Sequence, residues 1–181
     1  MKGIIFVQFI KMVEEQFGLE TAERIVEQSE LSTKGAYTSV GAYDHTELLQ
    51  LVSHLSKQEN IPVPDLLRSF GNYMFKILAD AYPVFLENVD GVFSLLANVE
   101  SIIHMEVRKL YPDAALPGFS HRFVGKNRME LTYSSPRPFS EFAHGLIEDC
   151  IEHFSEPVSI ESVENLPGDG NDVRFMLVRE G

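Results

Sequence analysis

The chain carries one cysteine, Cys150, among its 181 residues. A lone thiol forms no disulfide within the chain and supplies no cysteine-rich structural zinc site. Cys150 therefore reads as a small core residue. Positive charge is also scarce: 15 Lys and Arg face 27 Asp and Glu, giving a net charge of −12 and a pI near 4.9. That balance argues against nucleic acid and anionic membrane surfaces, which call for basic patches. No uninterrupted apolar run is long enough to span a bilayer. The stretch from Met1 to Ile10 is apolar, but Lys11, Glu14 and Glu15 follow with no small-residue cleavage site, so it is not read as a signal peptide. The expected location is the cytoplasm. Repeats and low-complexity tracts are absent. So are a P-loop, a Gly-rich dinucleotide fingerprint and a recognisable nucleophile–base pair, and the expectation is a protein that is not an enzyme.

What is present is an apolar share of 44%, ordinary for a globular chain. Ile5, Phe9, Met12, Val13 and Phe17 form one stripe at helical spacing, which predicts a helix over 2–17 ended by Gly18. A second helix is expected over 20–29, then a loop over 30–43 rich in Gly, Ser, Thr and Tyr. Asp44 caps the next helix, which runs to about residue 57 with Glu47 at the capping-box position. Pro62 and Pro64 open a helix over 64–80. Pro83 starts a short turn of helix, Asp90-Gly91 breaks it, and one long helix over 91–110 ends at Tyr111-Pro112.

Beyond this point the pattern alternates. Strands are expected over 119–125 and 128–134, a helix over 138–154, and strands over 158–163 and 173–178 joined by a hairpin loop over 166–171. Helices followed by strand, strand, helix, strand, strand make an α+β fold with a four-stranded antiparallel sheet. The division expected is a helical part, 1–62, and an α+β part, 63–181.

The most informative segment is Leu131-Thr-Tyr-Ser-Ser-Pro-Arg137, in which Tyr133, Ser135 and Arg137 alternate. In an extended strand they share a face. A phenol, an alcohol and a guanidinium together suit carboxylates, which the Arg fork binds bidentately. Alone, the triplet could equally be an exposed strand face with Arg137 in a surface ion pair. Upstream, His104 lies among Ile102, Ile103, Met105 and Val107. It reads either as a core histidine satisfied by one hydrogen bond or as a metal ligand. An imidazole beside an anion clamp is what holding an iron porphyrin requires. His45, His54 and His121 are expected at the surface. His144, Glu148 and Glu152 fall at i, i+4, i+8 on the 138–154 helix. That spacing would suit a metal, but a solvated acidic face is the plainer reading.

Taken together, the Tyr-x-Ser-x-Arg motif, His104 upstream, Met1-Lys-Gly-Ile-Ile, Phe70-Gly71-Asn72, Leu110-Tyr111, Leu116-Pro117 and Gly145-Leu146 resemble the heme–nitric oxide/oxygen binding (H-NOX) domains, which include the heme domain of soluble guanylate cyclase. The likeness spans essentially the whole chain. It implies a heme b cofactor bound through His104, with Tyr133, Ser135 and Arg137 on the propionates and Pro117 pressing on the porphyrin. Oxygen-binding relatives place a distal tyrosine where this chain has Phe142. Phe9 and Met74 match the other distal positions, and Ile5 and Leu146 complete the wall. No donor stands among them, so the resemblance implies a sensor of nitric oxide and carbon monoxide that discriminates against oxygen. Some relatives carry a cysteine-rich zinc site; with Cys150 alone, no zinc is expected here. Signalling is implied through release of the His104–iron bond to a separate partner, a histidine kinase or a cyclic-di-GMP enzyme. Gly71 and Gly145 lie inside helices and read as hinges or as close-packing positions. A different class also fits the residues: a non-heme module holding a carboxylated apolar small molecule. A heme peroxidase is disfavoured, because its chemistry needs a distal acid–base group.

Overall fold

In the computed structural model, residues 1–87, 89–167 and 172–181 are described. Helix α1 (Gly3–Phe17) turns Phe6, Phe9, Met12 and Val13 inward. It ends where the Gly18 N–H reaches Glu14 O at 3.1 Å. Helix α2 (Leu19–Gln28) buries Thr21, Ala22 and Ile25 against it. After the 29–44 loop, Asp44 caps α3 (His45–Glu59) by accepting from the Thr46 N–H at 2.9 Å.

The expected capping box does not form. The Glu47 carboxylate turns instead to the loop, where it accepts from Ser32 Oγ at 2.5 Å and Tyr37 Oη at 2.6 Å. A buried carboxylate needs such donors, and the Ser- and Tyr-bearing loop supplies more of them than one N-cap amide could. Helix α4 (Val63–Ala81) starts behind Pro62 with Pro64 in its first turn, and the short α5 (Val84–Glu87) follows.

The expected single helix over 91–110 is interrupted. Helix α6 (Val92–Asn98) passes into a π-helical turn, Val99–Ile103, before α7 (His104–Leu110). The His104 N–H bonds Val99 O, five residues back. Such a wide turn inserts a residue and re-aims the helix after it.

Strands β1 (Gly118–Phe123), β2 (Arg128–Ser134), β3 (Val158–Asn165) and β4 (Val173–Arg179) form one antiparallel sheet in the order β1-β2-β4-β3. Strand β1 stops short of residue 125, because Val124 already bonds back to Arg128 O at 2.9 Å and Gly125 adopts φ 72°. Helix α8 (Ser140–Phe154) starts two residues later than expected, after a bend in which the Phe139 N–H bonds Arg137 O at 2.9 Å. Residues 168–171 of the expected hairpin loop lie outside the described residues. No helix among the described residues is long and apolar enough to cross a membrane.

Two cores result. The first joins α1 to α4 around Phe6, Phe9, Leu51, Phe70 and Met74. The second joins α6, α8 and the sheet around Val92, Leu131, Tyr133, Ile147 and Phe175. Helices α4 and α8 belong to both. Met74 faces the first core and Phe75 the second; Phe142 and Leu146 face the first, Ala143 and Ile147 the second. The two helices meet backbone to backbone. A Cβ on Gly71 would stand 2.2 Å from Phe142 O, and one on Gly145 would stand 2.0 Å from Arg68 O.

Candidate functional site

Tyr133 lies near the end of β2, buried, with its register partner Phe119 on β1. Burial pushes its phenol pKa up, so it stands as a neutral donor. The strand ends at Ser134, so the pleat alone does not align the motif. The bend takes over: Ser135 is buried, and its Oγ accepts from the Arg137 N–H at 3.1 Å. Arg137 Nη1 donates to Ala115 O at 3.1 Å. Arg24, Arg68, Arg108, Arg122, Arg128, Arg174 and Arg179 each have a carboxylate within ion-pair distance. Arg137 has none among the described residues. In a chain so rich in acid, the arginine without a carboxylate among the described residues is the one in the motif.

His104 opens α7, its side chain only 12% exposed. Its Nδ1 faces Glu100 Oε2 at 2.9 Å. Burial lowers the imidazole pKa against the pull of Glu100, which keeps the ring neutral near pH 7. Burial also pushes Glu100 up, but hydrogen bonds from Arg108 and His104 outweigh it and hold the carboxyl below its ordinary value. An ionised carboxylate only accepts, so the proton sits on His104 Nδ1 and Nε2 keeps its lone pair. The His104 ring centroid lies 5.7 Å from that of Phe119, which lies 5.5 Å from that of Tyr133. Phe119 thus joins the imidazole to the motif. Pro117 is half-buried in the segment entering β1.

The apolar candidates gather on the first core. Phe9 and Met74 are fully buried, and Ile5, Phe142 and Leu146 are half-buried. Phe70 sits between Phe9, which it meets edge to face, and Phe142, at centroid distances of 5.2 and 5.1 Å. None of these side chains carries a hydrogen-bond donor. On the His104 side, Leu78, Tyr82, Ile102 and Met105 remain exposed. An apolar cavity of about 510 Å³ opens there, lined by Tyr82, Phe85, Leu95, Ile102 and Ile103, though not by His104 itself.

His144 departs from expectation. It is buried, not on a solvated acidic face, because α8 turns it against Phe175 of β4 at a centroid distance of 5.4 Å. Its Nδ1 has no hydrogen-bond partner among the described residues, with Glu141 Oε2 3.6 Å away. Among the described residues no group of three or more His, Cys, Asp and Glu could hold a metal ion. His121 is exposed as expected, but His45 and His54 are half-buried. Cys150 is buried.

Sequence reasoning missed Glu100, Phe119 and the Ala115 carbonyl. Glu100 was open to discovery as the acid four residues before His104. The other two are brought in by β1 and by the segment before it, and carry no local signal.

The donor set fits a porphyrin with two carboxylates: a guanidinium with no anion and an imidazole whose second nitrogen has no partner among the described residues, beside a buried alcohol and a neutral phenol. Residues 2–162 match the Haem-NO-binding family. The fold superposes on the Fe(II) unliganded H-NOX protein from K. algicida with TM-score 0.93 and 39% identity, covering 100% of this chain and 97% of that one. The IWP-051-bound H-NOX from Shewanella woodyi in the Fe(II)CO state gives 0.83 and 40%, covering 99% and 95%. The S. oneidensis H-NOX protein in the Fe(II)NO state gives 0.88 and 27%, covering 100% of both. No curated protein sequence matches. The chain belongs to the H-NOX family, whose members bind heme and serve as gas sensors.

Proposed function

We propose that this protein is a heme b sensor of nitric oxide that also takes carbon monoxide, discriminates against oxygen, and regulates a separate partner, a histidine kinase or a cyclic-di-GMP enzyme, without being an enzyme itself. Bound ferrous heme would supply an open coordination position for a diatomic gas. His104 would hold the iron through Nε2. Tyr133, Ser135 and Arg137 would hold the propionates, and Pro117 would press on the ring. Ile5, Phe9, Met74, Phe142 and Leu146 would form the gas-side wall. The observation that carries this reading is Arg137, which has no carboxylate partner among the described residues and stands at the end of the strand pair that also packs His104. Structures of relatives with Fe(II)NO and Fe(II)CO support the choice of gases.

Selectivity follows from the wall. A donor in this wall would favour dioxygen at the iron, by about 1 kcal/mol or roughly tenfold in affinity. Phe9, Met74 and Phe142 offer none, and nitric oxide needs none. Loss of the His104 bond would free α7 from its anchor and would let residues 1–62 shift against 63–181.

An absorption spectrum tests the proposal. Purified protein given hemin and reduced should show a Soret band that moves on adding nitric oxide and stays put in air. His104→Ala should bind heme only with added imidazole. Colourless protein that takes up no hemin would instead fit a non-heme binding module, and a mutant spectrum equal to wild type would remove the His104 assignment.

A further inference from the structure

The Glu100 carboxylate serves three partners. Oε2 faces His104 Nδ1 at 2.9 Å and the Phe119 N–H at 3.4 Å, and Oε1 accepts from Arg108 Nη2 at 2.7 Å. A surface acid four residues from a histidine would be free to swing into water and would contribute little. This one is fixed at both oxygens. Arg108, one turn beyond His104, holds the outer oxygen, and the inner one touches β1 where Phe119 pairs in register with Tyr133. The carboxylate therefore ties the imidazole to the strand pair that presents the Tyr133 motif. It rides on the π-helical turn, so the register that faces it to His104 is set by that turn.

Resting on the reading of His104 as iron ligand, we infer that Glu100 is the positioning residue for that ligand. Its carboxylate fixes the Nδ1–H tautomer and the ring orientation, and so sets how firmly Nε2 binds and how readily it lets go. A histidine that donates its other N–H to a carboxylate is a more basic ligand, and loss of such a partner weakens metal binding by about 10–100-fold. The proton stays on Nδ1 throughout; the carboxylate only accepts. Arg108 shares the same anion and so limits what Glu100 gives to the ring.

The test uses heme-loaded ferrous protein and the iron–histidine stretching band read by resonance Raman. Glu100→Gln keeps the side chain's length but replaces the anion with a neutral acceptor; Glu100→Ala removes the acceptor. The band should fall to lower wavenumber in both, further in the alanine variant, and rise in Arg108→Ala. On adding nitric oxide, loss of the histidine from iron should be about tenfold faster in Glu100→Gln. A merely structural role for Glu100 would lower thermal stability and leave the band in place. If Glu100→Ala does not fold, the near-isosteric glutamine variant decides. A Glu100→Gln band coinciding with wild type would overturn the inference while leaving His104 as ligand. A wild type with no such band would remove the ligand assignment and the inference with it.

Discussion

Arg137 shows how much one residue's surroundings decide. Its guanidinium donates to the Ala115 carbonyl and meets no side-chain anion among the described residues, so it is positioned but electrostatically incomplete. A propionate would complete it through a charge-assisted pair, the strong kind of hydrogen bond. Arg137→Ala is therefore expected to weaken heme retention by about 1.5–3 kcal/mol, tenfold or more in the rate of heme loss to a scavenger protein. Arg137→Lys should recover part of this, since it keeps the charge and loses the fork. An alanine variant that keeps heme as long as wild type would disconnect Arg137 from the cofactor. The motif was legible because its residue types are unusual together. Glu100 was visible only as an acid one turn before a histidine, which looks like any solvated helix pair until β1 and Arg108 are placed around it. His144 was misread for the converse reason. Flanking acids at helical spacing suggest a wet face, yet Phe175 arrives from a strand some thirty residues on and covers the ring.

At the scale of elements, the helices and strands follow from spacing and punctuation, and their bounds shift by only a few residues. The π-helical turn was hidden, since Val99–Ile103 is as apolar and as helix-compatible as its flanks. What marks the turn is a hydrogen-bond register, which sequence does not display. Gly71 and Gly145 were recognised as costly inside helices, with hinge and packing roles both open. The geometry requires the packing role: each occupies the point where α4 and α8 touch through their backbones. Gly145→Ala would place a methyl 2.0 Å from Arg68 O, and a backbone carbonyl within a helix does not give way cheaply. The helices must separate, as in other overpacked contacts, at about 1–3 kcal/mol. A thermal melt should show the midpoint falling by several degrees, with heme affinity falling too, because Phe142 and Leu146 ride on α8. A melting point equal to wild type would mean that the crossing tolerates separation.

For the whole molecule, the two cores are joined by α4 and α8, and His144 stands at that junction. Arg68 of α4 makes a doubled contact with Glu141 of α8, at 3.0 and 2.6 Å to one oxygen. His144 lies beside this pair, with Glu148 Oε1 3.4 Å from its Nε2 and Phe175 of the sheet against its ring. Glu161 of β3 lines a shallow cavity together with His144 and Glu148. Burial lowers the His144 pKa, and the Arg68 charge lowers it further; Glu148 and Glu141 pull the other way without restoring it. The sign of the pH effect follows. A histidine with a depressed folded pKa binds fewer protons folded than unfolded, so stability rises with pH in the window between the two values. The contribution is complete above the ordinary value of about 6.5 and is lost as pH falls below it. Charging His144 would put a cation beside Arg68 and against Phe175, at the joint that holds the halves together. Acidification from pH 7.5 to 5.5 should therefore lower the urea midpoint of unfolding. Asp149, also buried on α8, has its carboxyl pKa raised by burial and so opposes this slope as pH falls. His144→Gln should flatten the slope while keeping a polar side chain at the site. Because His104 also has a depressed pKa, some slope should remain in the heme-free protein and shrink when heme is bound, since iron would occupy the nitrogen that a proton would take. If the glutamine variant keeps the full wild-type slope, the acid sensitivity of the fold belongs elsewhere, and His144 is only a well-packed ring.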